Sequence, residues 1–286
     1  MFLFSLLIAF TMGSFGTEGR HFLADLSQAD AGNIAWIILG GIVFNASNIL
    51  LSASVSIAGM SVAFPLGVGL SLVLGTVVNY IGSPKGNPVE LFSGVALIVV
   101  AIVCNGIASG KMQAGKKSGS GKGILLAAAA GIIMAFFYRF VAKAMDLDNF
   151  ASPAAGMVTP YTAIVVFSFG VLASNFVFNP IVMRWPFVGE RVYMKEYFRG
   201  SAKTHLVGML GGAIWCLGTA FSYIASGKAG AAISYALGQG APLVAAIWGV
   251  FVWKEFKGAG KNVYALLSLM FALFAAGLAF IIMSGN

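Results

Sequence analysis

Apolar residues follow one another in long blocks along this chain, and short polar segments separate the blocks. Between Asp30 and Lys85 there is no Asp, Glu, Lys or Arg at all. Because a bilayer core takes about 20 apolar residues per helix, this stretch is long enough for two spans. The whole pattern predicts an all-α polytopic membrane protein with nine spans, at residues 1–16, 33–58, 61–81, 89–108, 123–145, 152–176, 204–226, 229–252 and 262–284.

The composition supports this class. Hydrophobic residues make up 59% of the chain, charged residues make up 9%, and the mean hydropathy is +0.92, which excludes a soluble protein. The first apolar block lacks the basic start and the small-residue cleavage site of a signal peptide, so we count it as a span. Cys104 and Cys216 both fall inside predicted spans, where we interpret them as small buried residues and not as a disulfide.

The sequence also repeats itself. At an offset of 171 positions, residues 39–73 align with residues 210–244 without a gap. Both copies begin with Leu-Gly-Gly, and both contain Leu-Gly-x-Gly further on. An odd number of predicted spans separates the copies, so the second copy crosses the membrane in the opposite direction. Inverted repeats of this kind build secondary transporters, whose substrate site lies near the midplane between the copies.

Basic residues indicate the orientation. Even-numbered loops between spans hold twelve Lys and Arg residues, whereas odd-numbered loops hold four. By the positive-inside rule the even loops are cytoplasmic, so span 33–58 runs inward and its partner 204–226 runs outward. The net charge of +8 follows from this topology, and no nucleic-acid partner is predicted.

Topology and repeat together predict the domain organisation. We expect a first repeat half of four spans at residues 1–108, a basic cytoplasmic linker at 109–122, and a second half of five spans at 123–286. The first half is one span shorter than the second. Relative to a five-plus-five architecture, we therefore expect one further helix before Met1.

Several segments resemble a known family: AFTMGSFG near the start, FLADLSQAD, GGIVFNASN, GTVVNY, GGAIWCLGTAF, and GQGAPLVAAIWGVFVWKEF at 238–256. With the five-plus-five repeat they resemble the drug/metabolite transporter superfamily and, more narrowly, a bacterial relative of the plant ureide permeases. In that family AFTMGSFG belongs to the second span. The resemblance implies proton-coupled uptake of allantoin or a nucleobase-like compound across the bacterial inner membrane. Glucose and ribose porters are neighbouring relatives, so a sugar substrate stays open.

The chain departs from the family pattern in two places. Plant members carry a carboxylate in the ninth span where this chain has Ala236, and no Asp or Glu lies in the middle of a predicted span. Proton coupling usually uses such a group, so a facilitator stays an alternative to a symporter. The nucleotide-loop-like segment described for plant members is also missing from GKKSGSGK at 115–122, which we interpret as a flexible linker.

Candidate substrate residues lie in the repeated spans. Spans 61–81 and 229–252 are rich in Gly, and we expect Pro65 and Pro242 to interrupt them. Gln239 lies between two glycines, and its amide offers both a donor and an acceptor, which suits a ureide or a sugar. An interhelical hydrogen bond is the alternative. Tyr235 lies one turn below Gln239 and joins the predicted lining.

The other candidates flank this pair of spans. Trp215 and Thr219 recur with Tyr223 on one helical face, which can stack on a planar ring or simply pack in the bundle. Asn48 aligns with Thr219 in the repeat. Arg139 lies roughly 25 Å across the bilayer, where it either reaches the outer interface or holds a carbonyl or carboxylate of the substrate.

Other functional classes fit the sequence less well. Two interfacial His, two separated Cys and no midplane carboxylate do not supply the parts of an active site, so no enzyme, metal or cofactor is predicted. A non-transporting membrane subunit or receptor is harder to exclude. Within transport, a multidrug exporter is the alternative to uptake. The expected partners are a small-molecule substrate, the lipid bilayer and a coupling proton, and a homodimer is compatible with the sequence.

Overall fold

The structure, a computed structural model, is built from α-helices. It describes residues 1–15, 19–112, 121–252, 254 and 256–285, and no β-strand occurs among them apart from an isolated bridge between Met145 and Val158. In chain order the helices are α1 (Phe2–Phe10), α2 (Phe22–Gln28), α3 (Ala31–Ala58), α4 (Met60–Gly82), α5 (Pro88–Met112), α6 (Gly121–Ala142), α7 (Pro160–Arg184), α8 (Met194–Phe198), α9 (Ala202–Ala229), α10 (Ala231–Gly238), α11 (Ala241–Ile247), a π-helical turn (Trp248–Val252) and α12 (Lys261–Met283).

Seven segments of the described chain are long and apolar enough to cross a membrane: α3, α5, α6, α7, α9, the segment from α10 to the π turn, and α12. The prediction of an all-helical polytopic membrane protein is confirmed. The span predicted at 1–16 is shorter than expected, because α1 has nine residues and its chain turns after Phe10. At 1.5 Å per residue, α1 is roughly 14 Å long, about half of a bilayer core.

The sequence repeat has a counterpart in the backbone. Helices α3 and α9 have 28 residues each and begin and end at positions related by the same offset of 171. Each ends at a glycine corner, Gly59 (φ 82°, ψ 160°) and Gly230 (φ 83°, ψ 163°), and the next helix begins at once. Non-glycine residues almost never adopt this backbone conformation, so both corners require glycine. The repeat therefore extends to a shared helix–corner–helix geometry.

After the corner the two copies differ. Helix α4 continues without a break through Pro65, so the interruption predicted there is wrong. Pro65 lies in the second turn of α4, where its missing N–H removes only one hydrogen bond near the helix start. In the second copy the predicted interruption is present, because α10 ends at Gly238 and a turn at Gln239 and Gly240 separates it from α11.

The span predicted at 152–176 is displaced. Helix α7 starts at Pro160, with Thr159 as its N-cap, and ends at Arg184. Proline at the first helical position and threonine just before it form a strong helix start. The apolar composition of residues 152–159 suggested a helix, but these residues form a loop that is hydrogen-bonded to α2.

The chain divides into two compact units. The first unit comprises residues 1–46 and 136–231, and in it α7 contacts α1, α2 and α9. The first part of α3 also approaches α7 closely, since a methyl group added at Gly170 would lie 2.5 Å from the carbonyl oxygen of Ile38. Glycine at this crossing lets the two backbones approach, as is common in membrane helices.

The second unit comprises residues 47–135 and 232–286. Its main helix pair is α5 with α12, and α4 packs against α5. A methyl group added at Gly94 would lie 2.6 Å from the carbonyl oxygen of Gly277, and the reverse substitution would be equally crowded at 2.8 Å. Both units draw on both predicted halves of the sequence. The repeat halves stay a prediction, and most of the predicted linker, residues 113–120, lies outside the described residues.

Candidate functional site

Trp215 is the centre of an aromatic cluster in the first unit. Its indole stacks on the ring of Phe44 from α3 at a centroid distance of 4.5 Å and on that of Phe167 from α7 at 6.1 Å, with interplanar angles of 30° and 25°. Trp215 is 36% exposed, and its Nε1–H has no hydrogen-bond partner among the described residues. The cluster therefore offers a flat, partly open surface with an unused donor, which is suited to a planar polar ring.

Hydroxyl groups lie beside this aromatic surface. Tyr223 meets Phe167 edge to face at 6.0 Å, so it lies on the same side of α9 as Trp215, as the sequence predicts. Its hydroxyl is fully buried and has no hydrogen-bond partner in the described part of the chain. Thr219 donates its hydroxyl hydrogen to the carbonyl oxygen of Trp215 at 3.0 Å, so its oxygen can still accept a hydrogen bond but not donate one.

A second polar cluster joins α3 to α7. Asn45 is buried, and its Nδ2 donates to Ser174 Oγ at 2.9 Å and to Asn175 Oδ1 at 3.1 Å. The sequence pointed to Asn48, three residues further along α3, rather than to Asn45, and gave no sign of Ser174 or Asn175. Asn48 is exposed, and its backbone carbonyl accepts a hydrogen bond from the hydroxyl of Ser52.

Arg139 lies in the last turn of α6 and is half-buried. No ion pair involves its guanidinium among the residues that the structure describes. Its position three residues before the helix end places it near one end of α6, and its role as a substrate contact stays a prediction. Its neighbour Tyr138 packs inward and donates its hydroxyl hydrogen to the carbonyl of Ser222 at 3.0 Å.

Gln239 and Tyr235 lie in the second unit. Gln239 is half-buried at the break between α10 and α11, and its backbone N–H bonds the carbonyls of Tyr235 and Ala236 at 3.2 and 3.1 Å. Tyr235 is fully buried, and its hydroxyl is hydrogen-bonded to the carbonyl of Ser71 at 2.9 Å and to the Ser71 hydroxyl. Its ring lies against Gly75, where no larger residue fits. Tyr235 therefore anchors α10 to α4.

Sequence reasoning missed a polar network around Asp25. This carboxylate is fully buried in α2, and it accepts hydrogen bonds from Arg20 Nε at 2.9 Å and from the N–H and hydroxyl of Thr159 at 2.8 and 3.0 Å. Arg20 also donates to the carbonyls of Pro153 and Met157. Gln28, on the same helix as Asp25, donates to the carbonyl of Met157 and accepts from the N–H of Gly156. The network holds α2 against the start of α7. In the sequence, only its α2 members Asp25 and Gln28 could be noticed, within the FLADLSQAD segment.

A cavity of about 140 Å³ lies beside this network in the first unit. Its walls combine Arg20, His21 and Thr159 with mainly apolar neighbours: Met12, Gly13, Ser14, Phe15, Gly19, Phe150, Pro160, Tyr161 and Ile224. The Nδ1 of His21 is hydrogen-bonded to the backbone carbonyl of Ser14 at 2.6 Å.

The six predicted site residues divide between the two units. Trp215 and Thr219 lie together one turn apart on α9, and Arg139 belongs to the same unit. Asn48, Gln239 and Tyr235 belong to the second unit. Their convergence on one cavity stays a prediction. Among the described residues, no group of three or more His, Cys, Asp or Glu could hold a metal ion.

Comparison with known proteins places the chain in a family. Ureide permease 1 of Arabidopsis thaliana is 24% identical over 340 residues, which cover 99% of this chain and 86% of that protein. Ureide permease 2 of the same plant is 23% identical over 350 residues with the same coverage. Probable ureide permease A3 of Vigna unguiculata is 32% identical over 105 residues, which cover 35% of this chain and 28% of that protein. No solved structure matches. The family model for ureide permeases matches residues 1–119 and 114–284, so the chain belongs to the ureide permease family.

Proposed function

We propose that this protein is a secondary transporter that moves a ureide such as allantoin, or a nucleobase-like compound, across the membrane. The observation that carries the proposal is the family match, which extends over nearly the whole chain. The relatives are named as ureide permeases and align along almost all of its length. Membership in the wider drug/metabolite transporter superfamily and a location in a bacterial inner membrane belong to the same proposal.

The chemistry of the first unit supports this substrate class. Ureides are small and polar, and their planar urea or hydantoin units carry alternating N–H and carbonyl groups. Trp215 offers a stacking surface and an unused N–H, and Thr219 offers an acceptor one turn further along α9. We propose that both contact the substrate. Gln239, Asn48 and Arg139 are proposed as further contacts, and Tyr235 as the residue that holds the Gln239 turn in place.

Proton coupling, which the family resemblance implies, is also part of the proposal. A facilitator is the alternative, because no Asp or Glu lies in the middle of a described span. The test is uptake of labelled allantoin, uracil and glucose into proteoliposomes, with and without an inward pH gradient. We expect allantoin to enter and to accumulate above its external concentration only with the gradient. Equal final concentrations with and without the gradient would identify a facilitator, and uptake of glucose alone would favour a sugar transporter.

A further inference from the structure

The amide cluster between α3 and α7 lies deep within two membrane-spanning helices. Asn45 follows the first residue of α3, Ala31, by fourteen positions, and Ser174 follows the first residue of α7, Pro160, by the same number. At 1.5 Å per residue, both lie roughly 21 Å along their helices. Polar side chains at this depth have no water to satisfy them, so their hydrogen bonds determine how they are oriented.

The hydroxyl of Ser174 determines the orientation of Asn45. Ser174 donates its single hydrogen to the carbonyl of Val171 at 2.9 Å, so its oxygen can only accept from Asn45. The group that Asn45 turns toward Ser174 must therefore be its Nδ2, which is a donor. The second hydrogen of this Nδ2 is directed to Asn175, at 3.1 Å.

The same logic determines the orientation of Asn175. Since Asn45 presents a donor, Asn175 must present its acceptor, Oδ1, and its Nδ2 points away from Asn45. That Nδ2 carries two donors, and neither has a partner among the described residues. The side chain of Asn175 is partly exposed, unlike those of Asn45 and Ser174. The cluster thus ends in two oriented, unused N–H groups.

Asn175 lies on the face of α7 that contacts α9 two turns earlier. Seven residues separate it from Ser168, so the two side chains share a helical face. Ser168 is buried and lies against Cys216 of α9, the residue next to Trp215. The unused donors are therefore on the side of α7 that carries the aromatic cluster.

The residue after Asn175 supplies the complementary group. Pro180 lies inside α7 and has no N–H, so the carbonyl of Phe176 loses its helical donor. A carbonyl without its usual helical donor and two amide donors therefore occur on adjacent residues. This combination matches a ligand that carries a carbonyl and an N–H side by side, as ureides, hydantoins and uracil do.

We propose that Asn175 binds the carbonyl oxygen of such a ligand through its Nδ2, and that Asn45, held by Ser174, is the positioning residue that orients it. The proposal deepens the proposed function, on which the choice of ligand rests. The close approach of α3 and α7 at Gly170, one turn before Ser174, explains how a side chain as short as Asn45 spans the gap.

The test measures binding of labelled allantoin to the purified full chain by equilibrium dialysis, with uracil, hydantoin and glucose as competitors. Asn175→Leu removes the donors, and we expect binding of allantoin to weaken about tenfold or more. Asn175→Asp keeps an acceptor for Asn45 but replaces the two amide donors with a carboxyl group, so it should weaken binding as well even if the leucine variant folds poorly. Asn105→Leu, a change of a half-buried asparagine in α5, is the matched control and should bind as the unchanged protein does.

Asn45→Ala should weaken binding on its own but add nothing in the Asn175→Leu background, because it acts through Asn175. Additive losses would overturn the positioning role. Unchanged binding of allantoin by Asn175→Leu would overturn the assignment of Asn175. Displacement of the bound label by glucose alone would overturn it as well. The same holds if the unchanged protein binds neither allantoin nor uracil nor hydantoin. Transport is measured in parallel. Binding that depends on Asn175 without uptake would contradict the proposed transport function and leave this inference standing.

Discussion

A carboxylate buried as completely as Asp25 must be matched by donors, because an unpaired buried charge costs several kcal/mol. Arg20 and Thr159 supply them, and Arg20 is in turn satisfied by the loop carbonyls that precede α7. The ion pair thus works as part of a network that ties two distant segments together.

Replacement of Asp25 by alanine should therefore destabilise the protein strongly. The guanidinium of Arg20 and both donors of Thr159 would lose their acceptor, which we expect to cost about 3–5 kcal/mol. The thermal unfolding temperature in detergent measures this loss. Glu190→Ala is the control, because Glu190 is exposed, and it should leave the temperature unchanged. An equal, small effect of both changes would show that the network contributes little.

Trp215→Ala should impair transport with little effect on folding. The stacking surface would be lost, and aromatic stacking contributes about 0.5–1.5 kcal/mol, so the half-saturation concentration for allantoin should rise roughly 2- to 12-fold. Trp215→Phe keeps a ring and should retain most of the affinity. Uptake kinetics in proteoliposomes distinguish the three proteins. Trp185→Ala, at an exposed tryptophan after α7, should behave as the unchanged protein does, and an equal loss there would refute a specific role for Trp215.

These residues show what the sequence can and cannot reveal. The shared face of Trp215 and Tyr223 follows from helical periodicity alone, which is why it could be predicted. Thr159, which donates to Asp25, and the partners of Asn45 lie more than 120 positions away along the chain. No local pattern points to them, so the α2 network and the amide cluster became visible only with the structure.

At the scale of elements, the glycine corners are the clearest consequence of the repeat. Gly59 and Gly230 have almost the same backbone angles, in a region that is essentially restricted to glycine. The repeat offset located both positions in the sequence and fixed the ends of α3 and α9 to within three residues. The start of α7 was missed because the loop before it is held by tertiary hydrogen bonds rather than by its own composition.

Alanine at either corner should strain the backbone. We expect Gly59→Ala and Gly230→Ala each to cost about 1–3 kcal/mol and to lower the thermal unfolding temperature. Gly218→Ala is the matched control on α9, because a methyl group there meets no atom within 4 Å and helix propensity favours alanine. A loss at Gly218 as large as that at the corners would mean that the positive φ angles are not what matters.

At the scale of the whole molecule, the seven apolar helices of the described residues and the biased distribution of basic residues together predict how the chain crosses the membrane. These seven helices correspond to seven of the nine spans that the hydrophobic pattern predicts, since lipid requires each spanning backbone to satisfy its own hydrogen bonds. The direction in which each helix crosses the membrane depends instead on the basic residues of the loops. Lys195 lies on α8 in a predicted cytoplasmic loop, and Lys143 follows α6 in a predicted outer one; both are exposed.

Labelling with an impermeant amine reagent tests the orientation. In sealed, right-side-out cells, Lys143 should be modified and Lys195 should be protected, and in inverted vesicles the result should reverse, because the positive-inside rule places the basic loops in the cytoplasm. Lys143→Arg and Lys195→Arg remove the reactive amine while keeping the charge, so they identify each labelled peptide without changing the topology. Modification of both lysines from the same side would show that α7 does not cross the membrane as predicted, and with it the inverted relation between α3 and α9 would fail.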